Sequence, residues 1–297
     1  MERVRTRGTT TVESERPRLR ALAYQMLGTV SEAEDAVQEA YARYYRLSEQ
    51  EREEIRRPGA WLMRTTGRIA LDELKSARAR RTDYLGEWLP EPVPAESDYA
   101  SGHQPDPADV VSTASMVSQA LLILLESLSP AERAVYVLRE SFLMAHGEIS
   151  QTVGRSPAAC RQLLISARKR LGQSGRQTVL PQQHDDTVRA FAAACESGDM
   201  TALAEVLDPS VTLRSDGGGK ATAALHPIIG LEKVTRMLRG LREKHPEARL
   251  ETHRAAGALA LTMVMEDQTV GVMTCSVSPQ GISEVWITRN PEKLSLW

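Results

Sequence analysis

The spacing of apolar residues changes along this 297-residue chain, and the change restricts the folds available to it. At residues 18–81 and again at 114–171, apolar residues recur every three or four positions, as they do in helices with one buried face. Beyond a Gly-, Gln- and Ser-rich segment at 172–183, further helical segments precede alternating apolar and polar runs at 250–291, which suit paired strands. The pattern predicts a multidomain protein with an all-α N-terminal part and a C-terminal α+β domain.

Length and composition agree with several soluble domains. A chain of 297 residues exceeds what one small core organises, and its 41% hydrophobic and 26% charged residues are ordinary for globular proteins. Aromatic residues make up only 4%, which favours aliphatic helix packing. We predict a first helical domain at 1–82, a linker at 83–113, a second helical domain at 114–173, a short linker at 174–184 and the α+β domain at 185–297.

The charge of the chain is unevenly distributed although the net charge is only -2. No acidic residue lies between Glu148 and Asp185, and a second stretch, 64–81, is also rich in Arg and Lys. Two separated basic patches in a nearly neutral chain predict two contacts with one polyanion. The basic residues expected to contact nucleic acid are Arg64, Arg68, Lys75, Arg78, Arg80, Arg81, Arg161, Arg168, Lys169 and Arg170.

The cysteines and the N-terminus indicate the compartment. Cys160, Cys195 and Cys275 have neither paired nor metal-type spacing, which favours a reducing environment. The N-terminus is polar, and no segment approaches the roughly 18 apolar residues of a membrane span. We therefore expect a cytoplasmic protein that has no membrane contact, no metal and no cofactor.

The first helical domain offers two contrasting faces. A helix is expected to start behind Ser31, because Ser31 and Glu34 form a Ser-x-x-Glu capping box, and its polar face is either a solvated surface or a docking site for a basic partner. That face carries Asp35, Gln38 and Glu39 beside Glu34. A later helix starts at Pro58, and its basic side suits a nucleic-acid backbone and unstacked bases. Trp61 near its start is either a base-stacking residue or a core residue.

The second helical domain ends in a helix-turn-helix pattern. A short helix around Glu148 ends at Gly154, and the next helix is capped by Ser156 and starts at Pro157. The N-terminal part of such a second helix enters the major groove, so Ser156, Arg161 and Gln162 are expected to face DNA. A basic αα-hairpin without DNA-reading function is the alternative.

Two unusual segments suggest contacts between parts of the chain. In "YLGEWLPEP" (84–92) the prolines stiffen the backbone and Trp88 with Leu89 offers an apolar plug, so this linker is expected to dock on another domain. In "DGGGK" (216–220) three glycines permit a close backbone approach. The expected contact residues are Tyr84, Trp88, Leu89, Pro90, Asp216, Gly217, Gly218, Gly219 and Lys220.

The α+β domain contains residue types that could serve acid–base catalysis. Its candidate groups are Asp216, His226, His245 and His253, since such chemistry needs a carboxylate or imidazole placed in a pocket. Asp216 suits a capping role in a Gly-rich turn, and the histidines have no spacing that requires a site. We therefore predict no catalytic residue.

Four segments in order resemble the extracytoplasmic-function RNA polymerase sigma factors. They are "DAVQEAYARY" (35–44), "WLMRTTGRIALDELKSARARR" (61–81), "LSPAERAVYVLRE" (128–140) and "EISQTVGRSPAACRQLLISARKRL" (148–171), which resemble regions two and four of that family. The linker, "DGGGK" and "NPEKL" (290–294) resemble motifs of the subgroup that carries a SnoaL-like extension, a cone-shaped domain of the NTF2-like fold.

The resemblance implies a function and assigns roles to matching positions. It implies binding of core RNA polymerase through Asp35, Gln38 and Glu39, promoter melting by residues 64–81, and reading of an upstream promoter element by Arg161 and Gln162. We further predict that the extension regulates the protein in cis by packing on the linker. Its cavity could hold a small ligand, but no residue of the sequence identifies one. The alternatives are a sigma-like binding protein that does not initiate transcription, and a SnoaL-type enzyme fused to a DNA-binding part.

Overall fold

The computed structural model of the chain describes residues 12–100, 118–172 and 179–297, with residues 78–80 described by backbone alone. These residues form two compact units. The first, called the helical unit, contains residues 12–80, 96–100 and 124–172, and the second, called the α+β unit, contains residues 81–95, 118–123 and 179–297. The linker predicted at 83–113 therefore contributes residues to both units.

The first half of the helical unit consists of four helices, α1 (Arg16–Leu27), α2 (Val30–Arg46), α3 (Glu49–Glu54) and α4 (Pro58–Arg80). Gly28 ends α1 with φ 87°, a left-handed conformation that glycine adopts without steric cost. The predicted start of α4 at Pro58 is confirmed. The charged segment before it contains the short helix α3, which begins with a Ser48–Glu51 capping box.

The predicted cap of α2 at Ser31 is wrong by two positions. The N-cap is Thr29, whose hydroxyl accepts a hydrogen bond from the backbone of Glu32 at 3.4 Å and donates to the Glu32 carboxylate at 2.8 Å. Thr29 and Glu32 have the same Thr/Ser-x-x-Glu spacing as Ser31 and Glu34, so the sequence contains two competing caps. Because the earlier cap forms, Glu34 is free for other contacts.

The second half of the helical unit contains the helix-turn-helix. Helix α5 (Gln119–Leu125) starts in the α+β unit and ends in the helical unit, and α6 (Pro130–Tyr136) continues into one π-helical turn at 137–141. Helices α7 (His146–Val153) and α8 (Pro157–Gly172) are joined at Gly154, which has φ 67°. The buried residues of α8 are Cys160, Leu164 and Ala167. Ala159 and Leu163, on the same helix, are half-buried.

The two halves of the helical unit are packed against each other. The guanidinium of Arg133, a residue with 1% exposure on α6, donates from Nε and Nη2 to the backbone oxygen of Gln25 on α1, at 3.1 and 3.0 Å. On α4, Gly67 leaves room for α7, because a Cβ there would lie 3.1 Å from Cγ2 of Thr152. A buried Arg bonded to a distant carbonyl and a close helix crossing show that both halves share one packed interior.

The α+β unit packs helices on one face of a six-stranded sheet, which confirms the predicted class. Its elements are α9 (Pro181–Ser197), α10 (Met200–Val206), β1 (Leu207–Asp216), β2 (Ile228–Ile229), α11 (Leu231–Lys244), β3 (Arg249–Ala255), β4 (Ala258–Met265), β5 (Gln268–Ser278) and β6 (Gly281–Thr288). The strand order is β2-β1-β6-β5-β4-β3, with β1 and β6 parallel and the other neighbours antiparallel. Phe191, Leu238 and Met263 lie in the core between helices and sheet.

Linker residues extend this sheet. The backbone nitrogen of Ala95 donates to the Arg254 oxygen at 2.9 Å, and that of Ala256 donates to the Val93 oxygen at 3.2 Å. Because β3 is an edge strand, these bonds cover one end of an otherwise open edge. Among the helices in the described part of the chain, none is both long and apolar enough to cross a membrane.

Candidate functional site

A buried carboxylate in the α+β unit joins the linker to the rest of the unit. Asp216, the last residue of β1, has 0% exposure. Its Oδ1 accepts hydrogen bonds from the Tyr84 hydroxyl at 2.6 Å and the Gly218 backbone at 3.0 Å, and its Oδ2 accepts from the Leu89 backbone at 3.0 Å. Lys293 Nζ lies 2.6 Å from the same Oδ2. We call Tyr84, Leu89, Asp216, Asn290 and Lys293 the Asp216 site.

Lys293 also contacts the linker directly. Its ammonium also donates to the Leu89 backbone oxygen at 2.6 Å and lies 4.3 Å from the centroid of the Trp88 ring. Burial lowers the pKa of Lys293, and the nearby Asp216 carboxylate acts in the opposite direction. The Arg81 guanidinium carbon lies 3.4 Å from the centroid of the same indole, so two cations contact one aromatic ring.

Tyr84 acts in the Asp216 site as a neutral donor. Burial, followed by the hydrogen bond and negative charge of Asp216, raises the pKa of Tyr84 above its usual value. Its hydroxyl donates to Asp216 and accepts a bond from Asn290 Nδ2 at 3.1 Å. The phenol therefore connects the linker to both the "DGGGK" and the "NPEKL" segments.

The glycines after Asp216 are required by close contacts. A Cβ on Gly217 would lie 2.1 Å from the backbone oxygen of Ala221, and one on Gly218, which has φ +61°, would lie 2.4 Å from Asn290 Nδ2. Any larger residue there forces the backbone or Asn290 to move. At Gly219 the nearest side chain is Leu85, and Lys220 forms a salt bridge with Glu292.

The contact residues predicted from sequence are thus gathered within one unit. Leu89 and Tyr84 reach Asp216, the Pro90 oxygen accepts a bond from Gln119 Nε2 at 2.6 Å, and Trp88 contacts Lys293. Sequence reasoning did not single out Lys293 or Asn290. Both belong to "NPEKL", so the motif carried the signal, but a buried ion pair joining residues 77 positions apart has no local pattern.

The catalytic candidates do not share a pocket. His226 and His253 are exposed, and Asp216 is paired with Lys293. His245 lines a cavity of about 50 Å³ together with Met263 and Met273. That volume holds one or two water molecules, whereas pockets for small-molecule ligands span roughly 300–1,000 Å³.

The acidic face of α2 is divided between two roles. Asp35 and Gln38 are exposed, and Glu39 pairs with Arg43 at 2.8 Å and with Arg46 at 3.3 Å. Glu34, by contrast, takes part in contacts with residues 96–100, the second part of the linker, within the helical unit.

Tyr99 fastens this second part of the linker to α1 and α2. Its hydroxyl donates to Glu34 Oε1 at 2.5 Å, and its ring packs edge-on against Tyr24 with centroids 6.0 Å apart. Arg20 bridges Glu34 at 2.5 Å and Asp98 at 2.8 Å. Burial favours a raised pKa for Glu34, but the bonds from Tyr99 and Arg20 outweigh it, and the pKa is lowered.

The predicted DNA-facing residues of α8 lie at the surface. Arg161, Gln162 and Lys169 are exposed, and the hydroxyl of Ser156 accepts a bond from the Ala159 backbone at 3.2 Å, as a helix cap does. Two other basic residues of α8 are paired: Arg168 with Glu140 at 2.7 Å, and Arg170 with Glu132 at 3.5 Å.

The basic residues around α4 are placed less uniformly. Arg68 is exposed, Arg64 is half-buried, and Lys75 pairs with Asp72 at 2.8 Å. Arg81 belongs to the α+β unit, where it contacts Trp88, and the side chains of Arg78 and Arg80 lie outside the described part. The Trp61 ring packs against Tyr44 with centroids 5.6 Å apart, which favours its core role.

We predict that Asp216→Asn destabilises the α+β unit. The substitution leaves the buried Lys293 ammonium without its countercharge, which costs about 3–5 kcal/mol. Chemical unfolding of the full chain, followed by the fluorescence of its four tryptophans, three of which lie in the α+β unit, measures the loss. Asp267→Asn is the control, because Asp267 is 92% exposed and its change is expected within about 0.5 kcal/mol. Equal stabilities of both variants would contradict the role of Asp216.

The Glu34 contacts predict a specific pH dependence. Since the pKa of Glu34 is lowered by folding, its contribution to stability is present above the ordinary value of 4.5 and is lost as pH falls through the lowered one. Glu34→Gln should lower the free energy of unfolding by about 1–2 kcal/mol at neutral pH, with a smaller difference towards roughly pH 3. Urea unfolding across this range, with the exposed Glu53→Gln as control, tests it. A difference independent of pH contradicts it.

Comparison with known proteins identifies the family. Residues 11–80 match the family described as Sigma-70 region 2. The chain is 36% identical over 235 residues to the ECF RNA polymerase sigma factor SigJ of Mycobacterium tuberculosis, covering 78% of this chain and 72% of that protein. It is 35% identical over 276 residues to the probable ECF RNA polymerase sigma factor SigI of the same species, covering 92% of this chain and 90% of that one.

A solved structure extends the likeness to the whole chain. The crystal structure of Mycobacterium tuberculosis SigJ matches with a TM-score of 0.73 and 30% identity, covering 96% of this chain and 97% of that one. Both the helical part and the α+β extension fall within this match. The protein therefore belongs to the extracytoplasmic-function (ECF) RNA polymerase sigma factors, and its likeness to SigJ includes the C-terminal α+β unit.

Proposed function

We propose that this protein binds core RNA polymerase and directs it to specific promoters, and that its α+β unit regulates this activity in cis. The observation that carries the proposal is family membership combined with a helix-turn-helix whose predicted base-reading residues, Arg161 and Gln162, are exposed near the start of α8. Both side chains can form bidentate contacts with base edges in the major groove.

The docking of polymerase is proposed for the face of α2 that stays exposed. Asp35 and Gln38 are exposed to solvent, and Glu39 forms salt bridges with Arg43 and Arg46. Glu34 belongs to a different contact set, because it holds Tyr99 and Arg20. The polymerase-binding surface is therefore Asp35, Gln38 and Glu39, with the Tyr99 contact at its border.

The regulatory part of the proposal rests on packing. Within the helical unit, the Thr152 face of α7 lies against Gly67 on α4, so the two halves that would reach separate promoter elements are held together. The linker between these halves is fastened at Leu89 to the Asp216 site in one unit and at Tyr99 to α2 in the other. In this proposal, release of the fastened linker converts the packed arrangement into one that binds DNA.

The alternatives gain less support. His146 and Gly147, which depart from the family pattern, begin a regular helix in which the Glu148 carboxylate accepts a bond from the Ala145 backbone at 3.2 Å. An enzymatic role lacks a substrate-sized cavity beside His245, and Asp216 is occupied by Lys293. A sigma-like binding protein without initiation activity differs from our proposal only in the outcome of transcription.

The decisive experiment is transcription by purified core polymerase from the upstream region of the protein's own gene. Arg161→Ala should lower promoter-specific transcription about 5- to 150-fold, because it removes a base contact worth roughly 1–3 kcal/mol. Lys169→Ala is the matched variant, because it removes a proposed phosphate contact instead of a base contact. It should weaken binding to all promoters alike and reduce the slope of log affinity against log salt concentration by about one. Binding to core without any transcript would favour the non-initiating alternative, and absence of core binding would overturn the proposal.

Trp88→Ala tests the regulatory part. Removing the indole takes away the ring that Lys293 and Arg81 contact, so the linker should detach from the Asp216 site. We expect a larger radius of gyration by X-ray scattering and several-fold higher promoter transcription. Ile229→Ala, which shortens a side chain with 61% exposure in the same unit, should change neither. Scattering and transcription both equal to those of the unchanged protein would refute regulation through this linker.

A further inference from the structure

A second cavity in the α+β unit is larger than the one at His245. It has a volume of about 200 Å³ and lies among the start of α9, the turn between β3 and β4, the end of β5 and the first residues of α5. All of its lining residues belong to the α+β unit. None of the residues assigned above to polymerase binding, DNA binding or the Asp216 site lines it.

The cavity exists because two strands separate. The β4–β5 ladder ends at the pair Leu261–Met273, although β4 starts at Ala258 and β5 continues to Ser278. Beyond that pair a side chain replaces the missing strand contact: His184 Nε2 lies 3.2 Å from the Cys275 backbone oxygen. The separation thus leaves a gap in the sheet that no regular strand pairing fills.

The walls of the cavity are mostly apolar, with a few hydrogen-bonding groups. Val179, Leu259 and Val277 supply apolar surface, and the hydroxyl groups of Thr274 and Ser276 line the same space. Thr274 lines the cavity and is 8% exposed. Hydroxyl-bearing residues in a mostly apolar wall favour a ligand that combines an apolar body with a hydrogen-bonding group.

The charged residue at the wall is already neutralised. Asp185, with 7% exposure, accepts a bond from Arg254 Nη2 at 2.5 Å, and its other oxygen lies 3.4 Å from His184 Nδ1. Burial acts to raise the pKa of Asp185, but His184 and Arg254 lower it overall, so the carboxylate stays ionised and paired. A charged ligand would therefore find no unpaired countercharge among the described lining residues.

One lining residue connects the cavity to the linker. Gln119, with 6% exposure, lines the cavity and donates from Nε2 to the Pro90 oxygen at 2.6 Å. Pro90 follows Leu89, which Asp216 and Lys293 hold. Gln119 is also the first residue of α5, the helix that leads into the second half of the helical unit.

We propose that this cavity binds a small uncharged molecule with an apolar body and one or two hydrogen-bonding groups, and that Gln119 transmits its presence to the linker. The volume is below that of pockets for drug-sized ligands and accommodates a ligand of about ten non-hydrogen atoms. The binding step stands independently of the proposed function, and only its effect on transcription rests on it.

The binding test uses full-length protein with benzyl alcohol as the probe and benzoate as its charged counterpart. NMR should show saturable shifts at Gln119 and Thr274 with a Kd of about 1 mM or lower for the alcohol, and none for benzoate. Ala258→Leu narrows the cavity and should weaken binding at least tenfold, whereas Ala204→Leu, at an exposed position on α10, should not. Absence of saturable shifts, or equal affinity in both variants, overturns the site.

Two further variants test ligand binding separately from its effect on transcription. Thr274→Val keeps the side-chain volume but removes the hydroxyl. It should weaken the binding of benzyl alcohol about 2- to 10-fold more than the binding of toluene. This comparison tests the site even if Ala258→Leu fails to fold. Gln119→Leu should still bind the probe, but the probe should no longer alter transcription. An equal response of Gln119→Leu and unchanged protein overturns the transmission step. If the unchanged protein binds the probe but supports no transcription, the sigma function is contradicted and the ligand site is not.

Discussion

The Asp216–Lys293 ion pair is the interaction on which the arrangement of the linker depends. Both partners are almost fully buried, so each charge is tolerable only while the other is present. The pair also forms hydrogen bonds with the backbone of the linker, since Asp216 accepts one from the Leu89 nitrogen and Lys293 donates one to the Leu89 oxygen. A linker whose backbone completes a buried charge network cannot leave without exposing that network, which makes its docking all-or-none.

Tyr99 gives the linker a contact of a different kind. The Tyr99–Glu34 bond lies in the helical unit and is partly exposed. It belongs to a cluster of two acids, two arginines and a phenol, so its disruption exposes groups that water can solvate. The Asp216 site is more costly to open, because its charges are buried. If the linker responds to a signal, the weaker Tyr99 contact yields first, and the Asp216 site sets the limit of the response.

Much of the fold was predictable because periodicity and caps act locally. Pro58, Gly154 and Pro157 mark helix ends through their own backbone properties, and each boundary was predicted correctly. The cap of α2 was not, because Thr29 and Ser31 offer the same local pattern and only tertiary contacts of Glu34 distinguish them. The partner of Asp216 and the packing of Arg133 on Gln25 join distant positions, so no window of sequence contains them.

Two cavities in the described part of the α+β unit differ in size and in the residues that line them. Where the helices cover the sheet, Leu238, Met263 and Met273 fill the interior and leave about 50 Å³, so a substrate has no room beside His245. The larger space occurs where β4 and β5 separate, and its wall includes Gln119 rather than a paired acid and base. A site whose polar contacts lead to the linker can convert occupancy into linker position. The one carboxylate among the lining residues, Asp185, is paired with Arg254.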